Sequence, residues 1–184
     1  MTLIIALRNK NKTFMASDGL CLQEDTVVSE NQKKIFEYNN SLLVGYSGNV
    51  ALINVIDDYL CYYEWKGQTF SKYALQEIFV NMFLENVKIK RLIDQGQYVE
   101  MLLTIENKLF NITSHGDFIE VNFPYAIGTG SEIALGSFIT FQDTCIESME
   151  DEEVKSNIYK IFDYVSKKNI KVNNNVTIET LSIE

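Results

Sequence analysis

The sequence contains few of the residues on which most hydrolases and metal centres depend. Its 184 residues include one histidine (His115), one proline and three widely spaced cysteines. A lone histidine argues against His-based triads, against dyads that need a second imidazole and against most zinc sites. We therefore expect no metal, and we expect His115, beside Gly116 in a turn, on the surface. A hydrolase with this sequence would work with His115 alone or without a histidine base.

Positive charge and long apolar runs are also scarce. The chain has 16 basic and 25 acidic residues and a net charge of −9, which argues against nucleic acid as a partner. No apolar run approaches the roughly 20 residues that span a membrane, and the apolar start lacks the basic flank of a signal peptide. With cysteines few and scattered, we expect a reduced, cytoplasmic setting. The length suits one domain, residues 1–184.

What the sequence does contain is a threonine directly after the initiator methionine. Methionine is generally removed when the second residue is small, and its removal would leave a hydroxyl and a free α-amine on Thr2. A threonine hydroxyl needs an adjacent base to act as a nucleophile. An α-amine, with a reference pKa of roughly 7.7–8.0, can be that base near neutral pH. Thr2 could then supply both nucleophile and base.

A hairpin is predicted to bring a carboxylate to Thr2. The segments on either side of a polar turn centred near Lys10 read as paired strands, and this pairing sets Asp18 roughly opposite Thr2. Lys33 and Lys34 follow in a predicted strand, where adjacent side chains point to opposite faces, so at most one of them reaches Thr2. An ammonium held by Asp18 would favour a neutral α-amine and polarise the hydroxyl.

Together these residues resemble the proteasome β-subunit and HslV-like family of N-terminal-nucleophile hydrolases. The resemblance rests on an N-terminal threonine, an Asp-Gly turn, a Lys-Lys-hydrophobic strand and two glycine-rich turns. In this chain they are Thr2, Asp18-Gly19, Lys33-Lys34-Ile35, Gly45-Tyr46-Ser47-Gly48 and Gly128-Thr129-Gly130-Ser131. The similarity is clearest over residues 2–50 and recurs at the second glycine-rich turn; elsewhere it lies in the order of the elements.

The resemblance implies a role for each matching residue. Thr2 matches the nucleophile, Lys34 the lysine that tunes its amine, and Asp18 the aspartate that holds this lysine. Gly48 matches the glycine whose backbone N–H forms the oxyanion hole. Such a donor contributes about 2.7–4 kcal/mol where one has been removed.

Further residues are expected around these four. The resemblance makes Lys33, Thr129 and Ser131 supporting residues, with Lys33 as the outward neighbour of Lys34. It also implies that Tyr46 and Val50 line the pocket for the residue before the scissile bond, which we expect to be restricted and apolar. Cys21 either lines the same cleft or is an ordinary half-buried thiol.

The fold implied by the resemblance is α+β, a four-layer αββα sandwich. The sequence pattern agrees, because strands, two helices, strands, two helices and strands follow one another, which suits two sheets with helices on both outer sides. The predicted helices are 50–65, 71–89, 132–142 and 151–168, and the predicted strands after the first hairpin are 33–38, 41–46, 98–106, 108–114, 117–122, 170–172 and 176–181.

The function implied by the resemblance is that of a threonine-type endopeptidase. Copies of the chain would form stacked rings that take peptide or unfolded protein, with an ATP-driven unfoldase as a partner. The subunit itself would need no cofactor, since ATP enters only through that partner, and it would bind neither nucleic acid nor a membrane.

Two other functions stay open. The chain could be a non-catalytic ring or scaffold subunit, which a retained Met1 would favour, as would Asn169, where many family members carry an aspartate. It could also be an amidase that acts on a small molecule through the same site.

Overall fold

The computed structural model describes residues 2–38, 40–63, 71–141 and 146–183. Its strands are β1 (Leu3–Arg8), β2 (Lys12–Asp18), β3 (Cys21–Gln23), β4 (Thr26–Ser29), β5 (Ile35–Tyr38), β6 (Leu42–Gly48), β7 (Val99–Ile105), β8 (Lys108–Thr113), β9 (Phe118–Val121), β10 (Tyr125–Gly128) and β11 (Val176–Ser182). Its helices are α1 (Val50–Cys61), α2 (Lys72–Glu85), α3 (Val87–Asp94), α4 (Ser131–Phe141) and α5 (Asp151–Lys168), with a 3₁₀ turn at Ile146–Ser148. Over these ranges, no helix has the length and apolar character to cross a membrane.

The strands form two antiparallel sheets and one separate hairpin. The first sheet has the order β10-β1-β2-β11, and the second has the order β5-β6-β7-β8-β9. Among the described residues, β3 and β4 pair only with each other. Because β1 lies between β10 and β2, the start of the chain enters the middle of the first sheet.

Three buried apolar clusters separate four layers. The first, which includes Ile4, Leu43 and Leu102, lies between the two sheets. The second packs α1, α2 and α3 on the outer face of the second sheet, and the third packs α4 and α5 on the outer face of the first sheet. The αββα sandwich implied by the sequence is therefore confirmed.

The apolar start of the chain follows from this layering. In β1, Ile4 and Ala6 contribute to the cluster between the sheets, whereas Leu3, Ile5 and Leu7 face α4 and α5. A strand that is covered on both faces has no solvent side, so it reads as a continuous apolar run rather than an alternating one.

The prediction of one helix over residues 71–89 is wrong. The segment forms α2 and α3, which are separated at Asn86, where the backbone is extended. The Asn86 side chain accepts hydrogen bonds from the N–H groups of Lys88 and Ile89 and so caps α3. Asparagine is favoured at such N-cap positions because its oxygen satisfies these otherwise unpaired donors.

One predicted strand and one predicted helix end also differ from the structure. Residues 170–172 are not a strand, because the backbone turns there: Val172 N–H donates to the Asn169 carbonyl and Lys171 N–H donates to Asn169 Oδ1. Helix α1 ends at Cys61, before the predicted end at 65. Residues 64 and 65 lie outside the described residues, as does residue 142 at the predicted end of the third helix.

Candidate active site

Thr2 lies immediately before β1, in the middle of the first sheet. On one side of β1, Leu3 pairs with Gly128 at the end of β10; on the other side, β1 pairs with β2. Only 4% of Thr2 is exposed. The position of Thr2 is therefore set by the ends of two neighbouring strands, while Met1 lies outside the described residues.

Asp18, at the end of β2, connects the backbone beside Thr2 to Lys34. Asp18 Oδ1 accepts hydrogen bonds from Leu3 N–H at 2.8 Å and from Lys34 Nζ at 2.9 Å. Asp18 Oδ2 accepts one from Leu20 N–H at 3.1 Å. The aspartate has no exposed surface, so these donors replace the water that its charge would otherwise bind.

The strand register differs by one residue from the predicted one. Ile4 pairs with Ser17, which sets Leu3 rather than Thr2 opposite Asp18. The shift arises because the turn runs from Asn9 to Lys12, where the Asn9 side chain accepts hydrogen bonds from two backbone N–H groups. The carboxylate therefore bonds to the N–H of the residue that follows Thr2.

Lys34 is a buried lysine that lies directly before β5 rather than within it. It is 5% exposed, and Nζ also donates to the Leu20 carbonyl at 2.7 Å. Burial lowers the pKa of Lys34, and the Asp18 carboxylate opposes this shift. Lys33 is exposed, with Nζ 5.4 Å from the ring centre of Phe36, so only one of the two lysines turns inward.

Thr2 and Lys34 line one small pocket. A space of about 40 Å³ is open to water in it. Predicted site residues in its lining are Thr2, Cys21, Lys33, Lys34, Tyr46, Gly48 and Val50, and Asp18 lies behind Lys34. The rest of the wall is mainly apolar, with Leu20, Leu22, Phe36 and Ile53.

Tyr46 is fully buried and is one of the residues that line this pocket. The Tyr46 and Tyr38 hydroxyls lie 2.8 Å apart, and the Tyr38 hydroxyl also donates to the Asp57 carboxylate of α1. The pKa of each phenol is raised, above all by burial. Phe36 packs edge-on to the Tyr46 ring, with 5.5 Å between ring centres. Tyr46 is therefore tied by hydrogen bonds to Tyr38 of β5 and, through Tyr38, to Asp57 of α1.

Thr129 and Ser131 are not among the residues that line the pocket. Both are half-buried. Thr129 lies in the turn that joins β10 to α4, and Ser131 is the first residue of α4. At Gly128, the last residue of β10 before this turn, a Cβ atom would lie 2.3 Å from the Thr2 carbonyl oxygen.

Three groups that sequence reasoning missed also belong to the site. They are the Leu20 carbonyl that binds Lys34 and the Tyr38–Asp57 pair that holds Tyr46. A backbone carbonyl leaves no mark on a sequence. Tyr38 and Asp57 are 19 residues apart, in a strand and a helix whose contact depends on layer packing. Their only signal was a pair of polar groups at positions that face a core.

Comparison with known proteins shows the family. Residues 2–181 match the protein-family model described as "Proteasome subunit". The chain belongs to the proteasome subunit family. The ATP-dependent protease subunit HslV of Thermoanaerobacter pseudethanolicus is 27% identical over 186 residues, which cover 98% of each protein.

Solved structures of lower sequence identity share the fold. BPH of Thiobacillus denitrificans in complex with epoxomicin has a TM-score of 0.77 and 16% identity, with all of both chains covered. The eukaryotic HslV of Trypanosoma brucei has a TM-score of 0.72 and 16% identity, with 98% of this chain and 99% of that one covered.

In this proteasome-family chain, the chemistry available at Thr2 is that of an ion pair, a hydroxyl and backbone amides. Across the described residues, no group of three or more His, Cys, Asp or Glu side chains could hold a metal ion. The Lys34 ammonium is a fixed positive charge on the pocket wall. It disfavours the protonated form of a nearby amine and stabilises a negative charge that develops nearby.

Replacing Gly128 by alanine is expected to displace Thr2. Gly128 has φ +82°, which strains any residue with a Cβ, and that Cβ would lie 2.3 Å from the Thr2 carbonyl oxygen and 2.6 Å from Ser47 Oγ. We expect a loss of stability of about 1–3 kcal/mol from the backbone strain alone, together with lower reactivity of Thr2. Chemical denaturation and labelling of Thr2 by an electrophile would measure the two effects.

The matched control is Gly136→Ala in α4. A Cβ at Gly136 meets nothing within 4 Å, so alanine should keep or raise stability, by up to about 1 kcal/mol. Equal stability of the two variants would contradict the close approach at Gly128.

Proposed function

We propose that this proteasome-family subunit is a threonine-type endopeptidase whose nucleophile is Thr2 after removal of Met1. Its substrates are peptides and unfolded proteins. Lys34, held by Asp18, tunes the α-amine of Thr2, and the N–H of Gly48 binds the oxyanion. The roles of Lys33, Thr129 and Ser131 as supporting residues remain predictions.

The observation that carries this proposal is the buried Asp18–Lys34 pair beside Thr2 at a pocket. Removing two charges from water costs free energy that their attraction often fails to recover, so a buried pair is weak evidence for stability. A buried lysine whose pKa is lowered and which lines a pocket is instead typical of a functional site. Lys34 and Thr2 also line the same pocket.

In the first step of the proposed reaction, Thr2 Oγ attacks the peptide carbonyl carbon and its proton passes to the α-amine. The resulting tetrahedral oxyanion accepts a hydrogen bond from Gly48 N–H. The α-ammonium then gives the proton to the leaving nitrogen as the C–N bond breaks, which leaves an ester on Thr2. Water attacks this ester with the α-amine as the base, and the acid product leaves with Thr2 restored.

The residue before the scissile bond is proposed to place an apolar side chain in this pocket. Leu20, Leu22, Phe36, Val50 and Ile53 supply its apolar lining, beside the polar residues Gln32 and Asn54.

The proposed partners are further copies of the chain in stacked rings and an ATP-dependent unfoldase. The support is the description of the T. pseudethanolicus relative as an ATP-dependent protease subunit. The subunit is proposed to need no cofactor of its own, and a cytoplasmic location stays a prediction.

The test is the intact mass of untagged protein before and after treatment with an epoxyketone such as epoxomicin. We expect a mass that lacks Met1, one adduct mapped to Thr2, and cleavage of unstructured peptides. A retained Met1 with no adduct would contradict the proposal and favour a non-catalytic ring subunit. An adduct without peptide cleavage, but with turnover of small amides, would favour the amidase.

A further inference from the structure

The β3–β4 hairpin forms part of the pocket but stands apart from both main sheets. Cys21 and Leu22 of β3 line the pocket, whereas Val27 and Val28 of β4 are 52% and 60% exposed. An isolated two-stranded hairpin is marginally stable in water. Its order therefore depends on contacts made at its base.

One side chain, that of Asn173, bonds to both ends of this hairpin. Asn173 Oδ1 accepts a hydrogen bond from Gly19 N–H at 3.0 Å, and Nδ2 donates to the Glu30 carbonyl at 3.0 Å. Asn175 Nδ2 donates to the same carbonyl at 3.2 Å. The two chain ends approach so closely that a Cβ at Gly19 would lie 2.3 Å from the Glu30 carbonyl oxygen. Asn173 thus closes the base of the hairpin, together with the backbone bond from Gln32 N–H to the Gly19 carbonyl at 2.8 Å.

The position of Asn173 follows from the first sheet. Val176, the first residue of β11, pairs with Asp18 at the end of β2. The loop before β11 therefore runs alongside Gly19, the residue after Asp18, where a short amide side chain reaches both strands of the hairpin.

The same bond fixes the backbone that holds Lys34. The Gly19 N–H belongs to the peptide that follows Asp18, and the next residue, Leu20, donates its N–H to Asp18 Oδ2 at 3.1 Å. The Leu20 carbonyl accepts from Lys34 Nζ at 2.7 Å. A shift at Gly19 is thus expected to move two of the groups that surround the lysine.

We propose that Asn173 is a positioning residue, which closes the base of the β3–β4 hairpin and so holds the Leu20 carbonyl on Lys34 and residues 21 and 22 on the substrate pocket. Its effect on catalysis rests on the proposed function of Thr2 and Lys34. Its effect on the hairpin does not.

The test compares Asn173→Ala, Asn173→Asp and Asn175→Ala with Asn174→Ala, an exposed neighbour in the same loop. For Asn173→Ala we expect kcat/KM on an unstructured peptide to fall about tenfold to a hundredfold, because small displacements in an active site lower the rate by such factors. Asn173→Asp keeps the acceptor for Gly19 and should lose less, Asn175→Ala removes only the weaker bond and should lose little, and Asn174→Ala should match the unchanged protein.

The dependence of kcat/KM on pH separates positioning from a general loss of folded protein. Among the described residues, the titratable groups that interact with Lys34 are Asp18 and Cys21, and removal of Met1 adds the α-amine of Thr2. Asn173 is uncharged, so its replacement by alanine leaves all of these charges in place. Without the Leu20 carbonyl the ammonium loses an acceptor, and the basic limb of the Asn173→Ala profile is expected to move to lower pH. A lower rate with an unshifted profile would indicate a structural role only and overturn the proposal.

Hydrogen exchange tests the hairpin independently of activity. In Asn173→Ala we expect faster amide exchange within residues 19–32 and unchanged exchange in the sheets. Unchanged exchange over residues 19–32 would overturn the proposal, even if the unchanged protein neither cleaves peptides nor forms an adduct at Thr2. The latter result alone would count against the proposed function and not against the role of Asn173 in the hairpin.

Discussion

Replacing Thr2 by alanine is expected to abolish peptide cleavage and leave the fold intact. Alanine is small enough for Met1 to be removed, so the α-amine remains and only the nucleophilic oxygen is lost. Loss of a catalytic nucleophile typically lowers kcat by about 10⁴-fold or more. Turnover of an unstructured peptide, measured at equal concentrations of correctly processed protein, checks this expectation.

Thr2→Ser is the matched control for that experiment. Serine retains the hydroxyl and the α-amine, so turnover and the epoxyketone adduct should persist. Thermal unfolding of both variants should stay close to that of the unchanged protein. Wild-type turnover by Thr2→Ala would contradict the proposed mechanism, whatever the behaviour of Thr2→Ser.

Replacing Asp18 by asparagine is expected to have the largest effect on stability. The change leaves the Lys34 ammonium buried without its counter-charge, and breaking a buried pair in this way costs about 3–5 kcal/mol. Peptide cleavage should fall as well, because Lys34 no longer has a defined position. Denaturant unfolding at pH 7 measures the first effect and peptide turnover the second.

The stability deficit of Asp18→Asn should shrink as the pH rises. Burial lowers the pKa of Lys34 in the folded state, so between the folded and unfolded values the unfolded chain binds more protons and stability rises with pH. Asp18 opposes this shift, so in Asp18→Asn the folded-state pKa of Lys34 is lower still. The pH range in which stability rises therefore begins at a lower pH in the variant. Unfolding measured from about pH 6 to 10 should show the difference between the two proteins narrowing.

Asp163→Asn provides the control for charge loss at the surface. Asp163 pairs with Lys167 at 2.6 Å on α5, but the two side chains are about half exposed or more. Such a helix pair contributes about 0.3–0.5 kcal/mol. A similar loss in both variants would contradict the view that burial makes the Asp18–Lys34 pair critical.

Much of the fold could be predicted because the apolar pattern reflects the layers. The continuous apolar run of β1 indicates a strand covered on both faces, and α5 has an apolar stripe with acidic residues first and lysines last. The boundary at Asn86 was missed because the apolar pattern continues across it. Only the capping of α3 by the Asn86 side chain marks the break.

By itself, the sequence determined the proposed chemistry and the αββα fold. With one histidine, a threonine at position 2 and an Asp-Gly turn followed by two lysines, it pointed to an N-terminal nucleophile supported by Asp18 and, through the family resemblance, by Lys34. Residue types and approximate spacing are local properties, so they can be read without coordinates.

Only the tertiary structure decided which atoms meet. The turn at Asn9 shifted the register by one residue, so that Asp18 bonds to Leu3 N–H, and packing brought the Leu20 carbonyl to Lys34. It also brought Asn173 to the hairpin beside the pocket, 154 residues from Gly19. The physical reason is that hydrogen bonds depend on positions fixed to a fraction of an ångström, and those positions result from the packing of whole layers.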